Sequence, residues 1–299
     1  MSVGIVLGAG GPLGWAYHLG VIEGVREAIG REPARADRIV GTSAGAAIAA
    51  TLLTGTPTAE VLDLISTPPS SEDRERMRAA GAQALRNPLR SLRPVAPGLI
   101  RRTGQVGIGT ALVGLLPAGL FPTIVLRRFG ADVAWPDQLW VPSVRIDDGE
   151  VVVFGRDTTS VGLQDAIEAT SAVPALFQPK TIDAARYVDG AVASSTHADV
   201  LVPEAHDVVL IAAPMTRPGR GPIQTRARRR LAAEVRDLRA SGHTRTLVLS
   251  PDEAVLRAAE GFPRQRPDAG VDIVAAARDQ TISAFAALRA ERGRSRSGR

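Results

Sequence analysis

Cysteine is absent from the chain. Disulfides, thiolate-held zinc and a cysteine nucleophile are therefore excluded, and a reducing compartment is allowed. Histidine is scarce. His18, His197, His206 and His243 show neither H-x-x-x-H nor H-E-x-x-H spacing, which argues against a histidine-based metal site. Lys180 is the only lysine, so the basic side chains are almost all arginine. Aromatic residues make up 4% of the chain, and a core has to come mainly from Ala, Val, Leu and Ile within the 44% that is hydrophobic. No basic region precedes the apolar start, and no signal peptide is expected. The stretch from Val106 to Leu126 carries no charge and is flanked by Arg101-Arg102 and Arg127-Arg128. Gly107, Gly109, Gly114, Pro117, Gly119 and Pro122 interrupt any single spanning helix there, so an interfacial or lid segment, or a buried helix, is expected instead.

Formal net charge is +5, and the last eleven residues, with five arginines against Glu291, account for +4 of it. This Ser/Gly/Arg tail, 289–299, reads as disordered and solvated, and its alternative role is attraction to an anionic surface. No nucleic-acid partner is expected. The reading is of a cytoplasmic protein that can meet a membrane surface peripherally.

Strand and helix patterns alternate along the chain. Val3 to Leu7 is a short apolar run, followed by glycines and a helical pattern to about Ile29. Arg38 to Gly41 runs into a small-residue helix, and Thr58 to Ser66 is amphipathic. Asp147-Asp148-Gly149-Glu150 and Asp183-Ala184-Ala185 each sit between β-rich runs as hairpin turns. Val208 to Ala212 and Thr246 to Leu249 read as buried strands on either side of an Arg-rich helix. The pattern predicts an α/β fold: a mostly parallel central sheet with helices on both faces. Residues 1–288 form one domain, with a helical cap inserted at about 67–134. Arginines alternate with leucines in that insertion (Leu85, Arg86, Leu89, Arg90, Leu92, Arg93), which suits a helical cap with a basic face.

Two stretches carry chemistry. Gly41-Thr42-Ser43-Ala44-Gly45 follows a strand and opens a helix, the setting of a G-x-S-x-G nucleophile elbow that lifts Ser43 out of the sheet. Gly8-Ala9-Gly10-Gly11 follows the first strand. Its spacing fits poorly to a dinucleotide fingerprint and well to a loop whose bare amides face a developing alkoxide. A serine hydroxyl needs a base. His197, in a polar stretch, completes a Ser-Asp-His order. Asp189, at a strand end before Gly190, suits a carboxylate acting directly on the serine. His18, after Tyr17 on the first helix, reads as a core or surface histidine.

The glycine loop, Gly-Thr-Ser-Ala-Gly, the segment Ser171 to Pro179 and Tyr187-Val188-Asp189-Gly190-Ala191 occur in the order and spacing of the patatin-like phospholipase family. Over roughly the first 210 residues the chain resembles that family. The resemblance implies a patatin-like α/β fold and hydrolysis of acyl esters of lipids by a Ser-Asp dyad, with no cofactor and no metal. Carried over, Ser43 is the nucleophile and Asp189 the base. Gly10, Gly11 and Ala44 are implied to supply oxyanion amides. The partner implied is a phospholipid or another acyl-ester lipid. The chain departs from the family's glycine loop in having Leu13 where a basic residue stands. A lipid-binding or regulatory protein of this fold, and a Ser-His-Asp hydrolase using His197, are the alternatives.

Overall fold

The computed structural model describes residues 2–30, 32, 35–67, 71, 74–75, 78–79, 82, 93–102, 108–119, 121–123, 129–130, 132–243, 245–263 and 265–297. The strands are β1 Val3–Leu7, β2 Arg38–Gly41, β3 Leu139–Arg145, β4 Val151–Phe154, β5 Lys180–Ile182, β6 Ala185–Asp189, β7 Val208–Ala212 and β8 Thr246–Leu249. The helices are α1 Gly11–Ile29, α2 Ala44–Leu53, α3 Thr58–Ser66, α4 Ile108–Val113, α5 Leu163–Thr170, α6 Pro222–Ala240, α7 Glu253–Ala258 and α8 Gly270–Ser297. Among the described residues the eight strands form one sheet in the order β5-β6-β3-β2-β1-β7-β8, with β4 paired on β3. β1 runs parallel to β2 and β7, β2 to β3, and β7 to β8; β4, β5 and β6 extend the sheet antiparallel.

The inner parallel strands β1, β2, β3 and β7 are largely buried, which is why they read as continuous apolar runs; β8, read from sequence as buried, lies at the sheet edge with Val248 exposed. Their side chains alternate between two cores. Ile5, Leu7, Ile39, Leu210 and Ala212 meet α1, α2, α5 and α8 on one face. Val6, Val40, Val209 and Ile211 meet Leu231 and Leu238 of α6 on the other. Helix α8 lies along α1 at very short range: a Cβ added at Gly20 would sit 2.3 Å from the Val274 carbonyl oxygen, and one at Gly24 2.6 Å from the Thr281 Cβ. Two glycines one turn apart thus admit the C-terminal helix onto the sheet layer. The backbone of the Arg-rich tail continues α8 as far as Ser297, where disorder was expected from composition.

Chain direction fixes where a site can form. From β1 the chain steps through β2 to β3, then resumes on the other side of β1 with β7 and β8. That reversal between β1 and β7 opens a crevice at the carboxyl ends of the strands, the usual ligand position in an open α/β sheet. The glycine loop leaves β1 there, Ser43 follows β2, and Pro214 and Met215 follow β7.

Of the insertion at 67–134, the described parts include α4 and a 3-10 turn at Pro97–Arg102. The arginine–leucine alternation lies outside the described residues apart from Arg93, as do 106–107, 120 and 124–126 of the uncharged stretch. Among the described residues no helix is long and apolar enough to cross a membrane.

Candidate active site

The turn after β2 is tight because nothing larger than glycine fits two residues before or after Ser43. A Cβ at Gly41 would lie 2.5 Å from the Ala46 Cα, and one at Gly45 1.9 Å from the Leu7 carbonyl oxygen. Ser43 itself takes φ 53°, ψ −117°, a conformation that L-residues rarely adopt and that the surrounding contacts must hold. Its amide donates to Thr170 Oγ1 at 3.1 Å, and the Thr170 hydroxyl donates onward to the Pro142 carbonyl at 2.6 Å. Helix α5 and strand β3 therefore brace the elbow from outside its own strand and helix. No sequence pattern around Thr170 marks it for this task.

Asp189 ends β6, and its backbone amide donates to the Ala172 carbonyl at 3.0 Å. Its Oδ1 accepts the Ala191 amide at 2.8 Å, and its carboxylate lines the same cleft as Ser43. Gly190 has to be glycine, since a Cβ there would lie 2.6 Å from the Pro142 carbonyl oxygen. Burial raises the Asp189 pKa from its ordinary 3.8 to about 6, against the opposing pull of the Ala191 amide and the Ser43 hydroxyl.

The glycine loop presents amides to the same place. Gly8 and Ala9 spend theirs on the carbonyls of Ala212 and Ser195, at 2.9 and 2.7 Å. The amides of Gly10 and Gly11, at the start of α1, and of Ala44, at the start of α2, have no partner among the described residues. Gly11 takes φ 57°, and a Cβ on Gly10 would meet the Gly14 Cα at 2.6 Å. Two helix N-termini thus leave bare N–H groups near the cleft that Ser43 lines.

Ser43, Asp189, Gly10 and Gly11 line a single cleft of about 600 Å³, with Leu13, Val113, Leu116, Val173 and Ile223 among its apolar walls. Leu116 and Val173 are two-fifths exposed and Ile223 more than half, so the mouth is apolar as well.

The two histidines near the site are turned elsewhere. The fully buried His18 donates from Nε2 to the Gly8 carbonyl at 2.6 Å, so it buttresses the glycine loop. Burial lowers its pKa to about 4 and keeps it neutral, an effect the Gly8 hydrogen bond only partly opposes. His197 donates from Nε2 to the Gly190 carbonyl at 2.9 Å, and no hydrogen bond joins it to Ser43. Its pKa is lowered by burial, with Glu234 pulling the other way. Glu234, fully buried on α6, accepts from the hydroxyls of Ser194 and Thr196 and the Ala198 amide. This network ties down the loop that follows Asp189. The sequence showed Glu234 only as one acid within an arginine-rich helix. Among the described residues no cluster of side chains has the makings of a metal site.

An elbow serine, a buried carboxylate and a glycine loop thus line one cleft of an α/β sheet. The chain matches the model of the patatin-like phospholipase family over residues 5–202. It belongs to that family. Among solved structures it is similar to VipD from Legionella pneumophila, with 14% identity and a TM-score of 0.46, covering 96% of this chain and 66% of that one. It is also similar to the type III effector protein ExoU, with 18% identity and a TM-score of 0.42, covering 95% of this chain and 53% of that one. The chain thus spans just under two thirds of one relative and about half of the other. No curated protein matches it.

Proposed function

We propose that the protein is a serine acyl-hydrolase acting on lipid esters, with Ser43 as nucleophile and Asp189 as its base. The elbow serine and the buried Asp189 carboxylate lining one cleft with the glycine loop carry this reading. Asp189 takes the hydroxyl proton as Ser43 Oγ attacks the ester carbonyl. The carbonyl oxygen becomes an alkoxide, and the unpartnered amides of Gly10, Gly11 and Ala44 are the donors available to it. Collapse expels the alcohol, which receives the proton from Asp189, and leaves an acyl-Ser43. Water, deprotonated by the same carboxylate, then releases the fatty acid and restores the serine.

A carboxylate in water is a weak base for this task. Burial corrects that by raising the Asp189 pKa to about 6, which keeps it ionised at neutral pH yet able to hold a proton in the transition state. The apolar walls of the cleft offer room for an acyl chain, and its apolar, partly exposed mouth suits an approach to a lipid surface. A fluorophosphonate probe should label Ser43, and Ser43→Ala should lose both labelling and ester turnover. Ester hydrolysis that persists in Ser43→Ala refutes the assignment.

A further inference from the structure

The cleft has a cationic wall that the acyl-transfer chemistry leaves unused. The charged side chains lining it are Asp189, Arg217, Arg226 and Arg230. Arg230 is neutralised by Asp199 at 2.6 Å and Glu234 at 3.1 Å. Arg226 and Arg217 pair with no carboxylate among the described residues. Arg226, half-buried on α6, is held through one nitrogen. Its Nη2 donates to the carbonyls of Val192 at 2.7 Å and Ala193 at 3.2 Å, and to Thr110 Oγ1 at 3.4 Å. Its Nε and Nη1 have no protein acceptor among the described residues. Burial, and next to it the charge of Arg230, lowers its pKa, as befits a cation short of counter-charge. Val192 and Ala193 belong to the turn directly after Asp189, so one loop fixes both the carboxylate and this guanidinium. The glycine loop from Gly8 to Gly14 offers no charged side chain.

We propose that Arg226, with Arg217, forms a subsite in this cleft for the phosphoryl group of a phospholipid headgroup. A guanidinium whose Nε–H and Nη1–H donors are free can meet phosphate oxygens through charge-assisted hydrogen bonds, and a partly desolvated, unpaired cation gains more from an anion than an exposed one does. Both arginines lie beyond residue 202, where the family match ends, so this specificity element belongs to the chain's own C-terminal part. The proposal rests on the acyl-hydrolase reading and makes the favoured substrate a phosphodiester lipid over a neutral acylglycerol.

The test compares turnover of a short-chain phosphatidylcholine and of a diacylglycerol with the same acyl chains, in wild type, Arg226→Gln, Arg226→Lys and Arg217→Gln. Glutamine keeps a donor for the Val192 and Ala193 carbonyls and removes the charge. Arg226→Gln should lower the phospholipid-to-diacylglycerol ratio of kcat/KM by about tenfold or more, mainly through KM, and Arg226→Lys should recover part of it. An unchanged ratio, or an equal loss on both lipids, overturns the proposal. If circular dichroism shows Arg226→Gln unfolded, Arg217→Gln carries the same comparison: a lowered ratio supports the subsite, and an unchanged ratio or an equal loss overturns it. Calorimetric binding to Ser43→Ala separates this proposal from the catalytic reading. Phospholipid affinity that falls about tenfold when Arg226→Gln is added supports the subsite even if wild type hydrolyses neither lipid. Inorganic phosphate is titrated alongside. If it binds through Arg226 while phospholipid binding ignores that residue, the site serves free phosphate and the headgroup assignment fails.

Discussion

Replacing Asp189 by asparagine should abolish turnover and, at neutral pH, make the protein more stable. The carboxylate is 2% exposed and its pKa rises from 3.8 to about 6 because burial disfavours the charged form. That displacement corresponds to about 3 kcal/mol of native-state destabilisation once the group is ionised. The sign follows from proton binding. Between those two values the native state holds a proton that the unfolded chain has lost, so stability falls as pH rises through the window. Below the unfolded value both states are protonated and the cost vanishes. Asparagine keeps an oxygen for the Ala191 amide and has no such titration. Urea unfolding of wild type and Asp189→Asn should therefore diverge in favour of the variant by about 2 to 3 kcal/mol between pH 4 and pH 8, most of it below about pH 6. Wild-type kcat/KM should rise over the same window and level off above it, since the base must be ionised. A stability gap that stays flat with pH, or closes as pH rises, would refute the assignment of a buried, strained carboxylate at this position.

Two further outcomes follow from packing. Gly45→Ala places a methyl 1.9 Å from the Leu7 carbonyl oxygen, backbone that cannot give way, so the protein should be insoluble or lose more than about 3 kcal/mol in urea unfolding. Glu234→Ala leaves the Ser194 and Thr196 hydroxyls, the Ala198 amide and Arg230 without their buried acceptor and should cost about 3 to 5 kcal/mol, whereas Glu234→Gln, which keeps an acceptor oxygen, should cost less in the same assay.

Much of the architecture was legible because the residues that form it sit next to one another. The strands β1, β2, β7 and β8, the hairpin turns at 147–150 and 183–185 and the elbow glycines each declare themselves within a few positions. The two chemical motifs were visible for the same reason: strand, turn and helix are consecutive around Ser43, and strand end and turn are consecutive around Asp189. His197 shows where local reading stops. Its polar neighbours made it a candidate base, yet its ring turns to the Gly190 carbonyl, with its backbone at φ 53°. Composition suggested disorder for the tail, but the backbone there continues a long helix whose earlier turns pack on Gly20 and Gly24.

Local sequence was enough to set the layered α/β plan, the elbow serine and the glycine loop, because periodicity, glycine spacing and turn chemistry act over a few residues. Which groups meet depended on the folded chain. Folding brought Asp189 and Ser43 into one cleft, set Thr170 under the elbow amide, turned two histidines away, and placed unpaired Arg226 in the wall of the same cleft. Those contacts join segments far apart in the chain. Their electrostatics depend on how much water the folded layers exclude, and burial of that kind is a property of the assembled sheet and helices.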